Sequence, residues 1–362
     1  VRDKKRVVLF NNSLSGGAGK SIITLATTLM NAGIDTHIII YEEKIDYEIA
    51  QDISLKILRI PETKRRDKRE IARRLEKELS SIGKVDMLIS NSSPSNKIAS
   101  LLSHPNIWHC VRSAETKNFH GIGGYFRKRL RYAKYRRLYN GKRLITVSKG
   151  LKEYIVEELG ATPQKIVTIY NAFDFEEIER LSLVKEAKIP SDDYIIHVGR
   201  FDLSHKRQDI LLEAYAKSGL REKLVLLGKG RDRDEIVKMI KNLGLKERVL
   251  LPGFQENPYP WIRNAKLFVF SSDFEGFARV LLESLSLGTP VVSTDCPTGP
   301  AEILSAELSA YLVPVGDSEA LSKKMLEAIR EYPKINRDKF SIFSMQSIAK
   351  EYLSLIEKEH IK

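Results

Sequence analysis

Twice in this chain a short apolar run gives way to a glycine-bearing turn and then to a helical repeat. The first instance is residues 5–10 (KRVVLF), the turn 11–19 (NNSLSGGAG) and residues 21–32, where Ile22, Leu25, Ala26 and Leu29 recur at helical spacing. The second is residues 194–198 (YIIHV), a turn beginning at Gly199, and residues 207–217. A buried strand that feeds at once into a helix opens a parallel α/β unit with helices on both faces of its sheet. Two such openings predict two Rossmann-like domains facing across a ligand cleft at the carboxyl ends of their strands.

Further strands are expected at 37–41, 55–59, 86–90, 144–147 and 166–170, then at 223–227, 249–251 and 266–270. The expected boundaries are a first domain over 1–170, a connection over 171–192, a second domain over 193–342 and a terminal helix over 343–362. Residues 63–82 read as a helix of mixed charge with a solvated face. At 362 residues the chain suffices for two ordinary cores. No apolar run approaches the ~20 residues that span a bilayer, and no signal-peptide pattern precedes the first strand. Cys110 and Cys296 fall in different halves without metal-ligand spacing, which suits a reducing, cytoplasmic setting.

The most informative stretch is 270–290, FSSDFEGFARVLLESLSLGTP. It reads as a strand end, a polar turn over 271–276, and a helix over 277–287 stopped by Gly288-Thr289-Pro290. Glu275 is placed on the loop and Glu283 two turns inside the helix. Amides near Gly276 and Phe277 at a helix start favour a phosphate. Two carboxylates beside such a site suit hydroxyl-rich groups, and a sugar nucleotide offers both.

At these residues the chain resembles the GT-B glycosyltransferases of the retaining GT4 type, which carry E-x7-E in this setting followed by G-T-P-V-V, here residues 288–292. The resemblance implies a nucleotide-diphospho-sugar donor, UDP-linked in preference to GDP-linked, and no cofactor or metal. Glu283 would hold the ribose, Glu275 a hydroxyl of the donor sugar, and the Gly276 and Phe277 amides the diphosphate. Residues 197–215, containing Arg200 and Lys206, resemble the family segment whose two cations neutralise the departing diphosphate, a role that transfer chemistry requires. Arg207 stands where that family usually has glycine. Gly228 lies in a turn like the one beside the nucleobase, and Gly253-Phe254 resembles the segment that reads the base edge. Gly16 and Gly17 match a Gly-Gly turn near donor phosphates and acceptor. His109, on the strand 107–112, matches a first-domain histidine near the reacting carbon, with Arg112, Glu115 and His120 as acceptor contacts. Arg200, Lys206, Glu275 and His109 are thus the catalytic candidates, and the terminal helix is expected to return to the first domain.

Two motifs invite other readings. Residues 15–21 (SGGAGKS) approach a deviant phosphate-binding loop of partitioning ATPases, running from Gly16 to Ser21, yet Ser15 replaces its signature lysine and Leu14 the glycine of the standard form. Asp232-Arg233-Asp234 matches a metal-binding D-x-D in form, but acidic residues are favoured at a helix start anyway.

The charge points to a partner. Of the net +13, nine cations lie between Gly121 and Arg143 with no Asp or Glu among them, interleaved with Tyr125, Phe126, Tyr132, Tyr135 and Tyr139. Nucleic acid, an anionic membrane surface or a solvated helix with a tyrosine seam would each suit this pattern. The resemblance favours peripheral contact with the inner face of the plasma membrane, a glycan or lipid-linked acceptor, and assembly of bacterial surface polysaccharide such as lipopolysaccharide. Nucleic acid is not expected as a partner.

Overall fold

The computed structural model describes residues 4–64, 67–113 and 121–358. The chain divides into two compact units, Val1–Phe173 with Ile342–Lys362, and Asp174–Ser341.

In the first unit seven parallel strands form one sheet: β1 (Arg6–Asn11), β2 (Asp35–Ile40), β3 (Ser54–Ile57), β4 (Met87–Ser90), β5 (Ile107–Val111), β6 (Arg143–Thr146) and β7 (Lys165–Thr168), in the order β3-β2-β1-β4-β5-β6-β7. In the second unit β8 (Tyr194–Val198), β9 (Lys223–Leu227), β10 (Val249–Gly253), β11 (Leu267–Phe270), β12 (Val291–Thr294) and β13 (Leu312–Val313) follow the order β10-β9-β8-β11-β12-β13. Each sheet thus starts in its centre, builds outward to one side, and returns to build the other. The order reverses between β1 and β4 in one sheet and between β8 and β11 in the other. Loops leaving the carboxyl ends of such a strand pair diverge to opposite faces and leave a crevice.

The central strands are buried on both faces, as an all-parallel sheet requires. Val7, Val8, Leu9 and Phe10 have no solvent exposure, nor do Leu267 to Phe270. The charged helix Lys68–Ile82 is amphipathic. Ile71, Ala72, Leu75 and Leu79 join Val8, Phe10, Ile39 and Leu88 in one core cluster, while Glu70 pairs outward with Arg73 and Arg74. Asp67 caps its N-terminus by accepting from the amides of Arg69 and Glu70.

Two stretches differ from the sequence reading. Residues 92–95, to which the sequence reading assigns no element, open the helix Ser93–Ala99, whose start is capped by the Ser92 hydroxyl. The connection read at 171–192 contains the helix Phe175–Ser182, which belongs to the second unit. It rests on the helix Tyr259–Arg263, with Arg263 Nη1 2.6 Å from Glu179 Oε1 and Asn257 donating to the Leu181 carbonyl. The last helix, Met345–Lys358, lies in the first unit against the helix Gly16–Asn31. A backbone bridge of Phe173 with Ser344 fixes its start, and Ile348, Tyr352 and Ile356 are buried.

The glycines after β1 are not equivalent. The helix begins at Gly16, so Gly16, Gly17 and Gly19 all lie in its first turn instead of preceding it. A Cβ on Gly19 would sit 2.3 Å from the Leu14 carbonyl carbon, whereas one on Gly17 would meet nothing within 4 Å. Gly19→Ala is therefore expected to destabilise the protein by about 1–3 kcal/mol through forced backbone displacement. Gly17→Ala is expected to be neutral or to add up to about 1 kcal/mol from helix propensity. Thermal unfolding of the two variants side by side checks the contrast.

Candidate active site

The reversal point of the second sheet selects two loops. One leaves β8 and carries residues 199–207. The other leaves β11 and carries 271–278. Because β8 and β11 are hydrogen-bonded neighbours, the loops begin about 5 Å apart, although they are far separated in sequence. They are stitched together along their length. The Asp273 amide donates to the His205 carbonyl at 2.9 Å, the Ser271 hydroxyl to the Lys206 carbonyl at 2.8 Å, and His205 Nε2 to the Phe274 carbonyl at 2.7 Å. The His205 ring also stacks on Phe274, with centroids 4.1 Å apart.

Lys206 and Glu275 close this seam. Lys206 Nζ lies 2.5 Å from Glu275 Oε1, with only 16% and 13% of the two side chains exposed, and 5.1 Å over the Phe270 ring. Burial alone would raise the Glu275 carboxyl. The Lys206 ammonium and His205, 3.5 Å away, outweigh it and hold the group at about 2. The carboxylate is therefore an acceptor at neutral pH and has no proton to give.

The remaining donor-side candidates are distributed around this pair. Arg200 is far more exposed than Lys206. Its side chain is 64% exposed and pairs at 3.5 Å with Asp202, which also binds Arg231 at 3.1 Å. The Asp202 backbone carbonyl accepts from the amides of His205 and Lys206, closing a turn between the two cations. Gly228 lies where backbone meets backbone. At φ 153° its amide donates to the Gly253 carbonyl, and a Cβ there would be 1.9 Å from the Gly199 oxygen. Phe254, beyond it, is 39% exposed with Lys229 Nζ 4.2 Å above its ring.

The helix does not open at Phe277 just after Gly276, as the sequence suggested. Ala278 adopts φ 59°, a left-handed geometry that no helix can pass through, and the helix begins at Arg279 and runs to Ser286. Glu283 therefore sits one turn inside, not two. It is 8% exposed, with Arg279 Nη2 at 3.4 Å. Asp232 precedes the helix Arg233–Asn242 and makes no capping bond to it; its side chain instead accepts from the Leu203 amide at 2.8 Å.

In the first unit Gly16 donates its amide to Asp46 Oδ2 at 3.0 Å, and Lys20 Nζ stands 5.5 Å from the Tyr47 ring. His109, on β5, is 2% exposed. Its Nδ1 lies 2.8 Å from Ser90 Oγ, whose own proton goes to Asn96 Oδ1. Burial and the nearby Lys142 charge depress it to about 4, so it is neutral. The Nδ1 side of the ring is thus held by Ser90. Arg112, at the end of the same strand, divides its guanidinium between Asn91 Oδ1 at 2.9 Å and Asn171 Oδ1 at 2.7 Å. Glu115 and His120 lie outside the described residues.

The sequence reading passed over His205 and the carboxylates Asp209 and Asp273, which bind Arg207. It also passed over His197, buried on β8, which bonds the Val269 carbonyl and is pushed down by burial to about 4. The one signal available was arginine in place of glycine beside Lys206.

Linkage gives the pair a pH signature. With the Glu275 carboxyl near 2 against an ordinary 4.5, its contribution is complete above pH 4.5. It declines below that as the unfolded chain alone takes up the proton, and vanishes below the folded value. The Tm gap between the protein and Glu275→Gln is expected to narrow as pH falls from 4.5. A gap independent of pH would show that the carboxylate is not held by charge.

Comparison with known proteins agrees with this architecture. The family described as Glycosyltransferase Family 4 matches residues 15–177, and that described as Glycosyl transferases group 1 matches 180–342. The chain is 28% identical over 352 residues to the N-acetylgalactosamine-N,N'-diacetylbacillosaminyl-diphospho-undecaprenol 4-alpha-N-acetylgalactosaminyltransferase of Campylobacter jejuni, covering 89% of this chain and 90% of that one. It is 29% identical over 180 residues to the lipopolysaccharide 1,6-galactosyltransferase of Escherichia coli K12, covering 48% of each. Among solved structures, Anabaena HepE in complex with UDP and glucose superposes with a TM-score of 0.74 at 18% identity, covering 98% of this chain and all of that one. With two Rossmann-like sheets of the same order and both family matches in sequence along its length, the chain belongs to the GT4-type glycosyltransferases of the GT-B fold.

Proposed function

We propose that the protein transfers a sugar, with retention, from a UDP-linked donor to a lipid-linked glycan in the assembly of a bacterial surface polysaccharide. The observation that carries this is the Lys206–Glu275 pair at the reversal point of the second sheet. A buried ammonium beside a carboxylate ionised at neutral pH suits a donor with a diphosphate at one end and hydroxyls at the other. Lys206, joined by the exposed and weakly tethered Arg200, would take the charge that develops on the departing diphosphate. Glu275 would orient a sugar hydroxyl, and Glu283, held by Arg279, the ribose. These cations supply the countercharge in this reading, so donor binding needs no added metal.

Retention without an enzymic nucleophile implies a front-face route in which the leaving phosphate helps deprotonate the acceptor hydroxyl. The alpha linkage in the Campylobacter relative's name supports that stereochemistry, and its diphospho-undecaprenol substrate supports a lipid-linked acceptor. The ATPase reading of 16–21 has less behind it, since residues 15–177 match a glycosyltransferase family.

The basic stretch supports contact with an anionic membrane. It forms the helix Gly121–Tyr139, in which Tyr135 and Tyr139 are buried while Arg127, Lys128, Arg129, Lys134, Arg136 and Arg137 are exposed, with Leu130 73% exposed among them. The side chains of Tyr125 and Phe126 are outside those described. Cations around an exposed leucine suit an interface of headgroup phosphate and acyl chain. Among the described residues no helix is long and apolar enough to cross a membrane.

Calorimetry with UDP and GDP, without metal, is the first test. UDP is expected to bind, and Lys206→Ala or Glu275→Ala to lower transfer by a factor of about 100 or more in a protein that still folds. Either variant with full activity would refute the assignment. Replacing Arg127, Lys128, Arg129 and Arg131 together by Gln is expected to weaken binding to anionic vesicles by about 1 kcal/mol per cation at low salt. Vesicle binding that does not change would remove the membrane from the reading.

A further inference from the structure

Among the described residues only four other than glycine have a left-handed backbone: Arg207, Ala278, Thr298 and Ala306. Three of these border the Glu275 loop. Arg207 follows Lys206, Ala278 comes three residues after Glu275, and the Thr298 hydroxyl donates to the Glu275 carbonyl. Residues without φ freedom are held in such geometry only where their surroundings over-determine it.

At Arg207 the over-determining contact is visible. Its backbone is at φ 50°, ψ 48°, where a helix start would prefer glycine, serine or aspartate, and it makes no side-chain capping bond. Instead its guanidinium is divided between two carboxylates. Nε lies 3.0 and 3.1 Å from the two Asp209 oxygens and Nη2 2.8 Å from Oδ2, while Nη1 lies 3.0 and 3.1 Å from the oxygens of Asp273. The Asp273 side chain is 9% exposed and that of Arg207 23%. Asp273 belongs to the loop of Glu275, two residues ahead of it. The Arg207–Asp273 contact thus runs beside the Lys206–Glu275 pair and ties the same two loops.

We propose that Arg207 is a positioning residue: clamped between Asp209 and Asp273, it fixes the turn that presents Lys206 to the donor diphosphate. The inference rests on the donor-site reading above and adds to it a group that does not touch substrate. Lysine could not replace it, since one ammonium lacks the planar fork that spans both carboxylates.

Charge and position make opposite predictions, which gives the test its edge. Asp273→Asn removes a negative charge near a site for an anion. If the clamp acted only through its field, that variant would bind the nucleotide more tightly. If it acts by holding the turn, the variant binds more weakly. Arg207→Gly is the complementary probe, because glycine relieves the left-handed backbone and should not lower thermal stability by that route.

The experiment measures UDP affinity by calorimetry, steady-state transfer and Tm for Arg207→Gly, Arg207→Lys, Asp273→Asn and the Arg207→Gly/Asp273→Asn double variant, with Lys206→Ala as reference. Each single variant is expected to weaken UDP binding about ten-fold, and the double variant no further, as members of one unit behave. Tm should not track these losses. Tighter binding by Asp273→Asn, wild-type affinity in Arg207→Gly, additive losses, or losses that follow Tm would each overturn the clamp. Lys206→Ala binding UDP like the unmodified protein would instead overturn the donor-site reading, and the clamp with it.

Discussion

The second unit is organised by one ion pair that could not exist in an open loop. Lys206 and Glu275 are both largely withdrawn from water, and removing either charge from solvent costs several kcal/mol unless the partner is already in place. The sheet supplies that placement. Since β8 and β11 pair directly, the loops leaving them start one strand spacing apart. Three hydrogen bonds between the loops then leave little conformational search for the two side chains. The depressed Glu275 carboxyl records the result: attraction by Lys206 and His205 exceeds the burial that opposes ionisation.

The parts of this arrangement that the sequence revealed are those written in local chemistry. Apolar runs ending in glycine turns located β1 and β8, and the run from 266 to 290 located β11 and the Glu275 loop. The parts it concealed depend on contacts distant along the chain. Nothing in FEGFARVLLES announces that Ala278 turns left-handed and delays the helix, because alanine ordinarily favours helical geometry; the approach of Gly299 to the Phe277 backbone accompanies that turn. Arg200 and Lys206 look alike as text. The His205 and Lys206 amides donate to the Asp202 carbonyl, a turn that the sequence does not announce, and across it Lys206 is largely buried while Arg200 is exposed.

The first sheet meets the same topological demand with different chemistry. At its reversal, β1 ends at Asn11 and β4 is followed by Asn91, whose amide donates to the Phe10 carbonyl. Arg112 lies against the Asn91 and Asn171 side chains, neutral amides where the second unit uses carboxylates. His109 is a catalytic candidate by its position on β5, and in the fold its Nδ1 lies beside Ser90 while 2% of the residue is exposed. A histidine at a strand end is ambiguous in sequence because the direction of its side chain alternates with register, and register is a property of the whole sheet.

The charge of the molecule divides along the same line. In the second unit the informative cations are locked: Lys206 on Glu275, and Arg207 on Asp209 and Asp273. Pairs this buried are little affected by salt. In the helix Gly121–Tyr139 the cations sit on an exposed face in a segment with no acidic residue from 121 to 143, around an exposed leucine. Such a face acts at a distance of about a Debye length and fades as ionic strength rises. Raising salt should therefore separate the two proposed roles. Surface attraction weakens, whereas the geometry that would grip a diphosphate persists, because one depends on a field in water and the other on contacts already made.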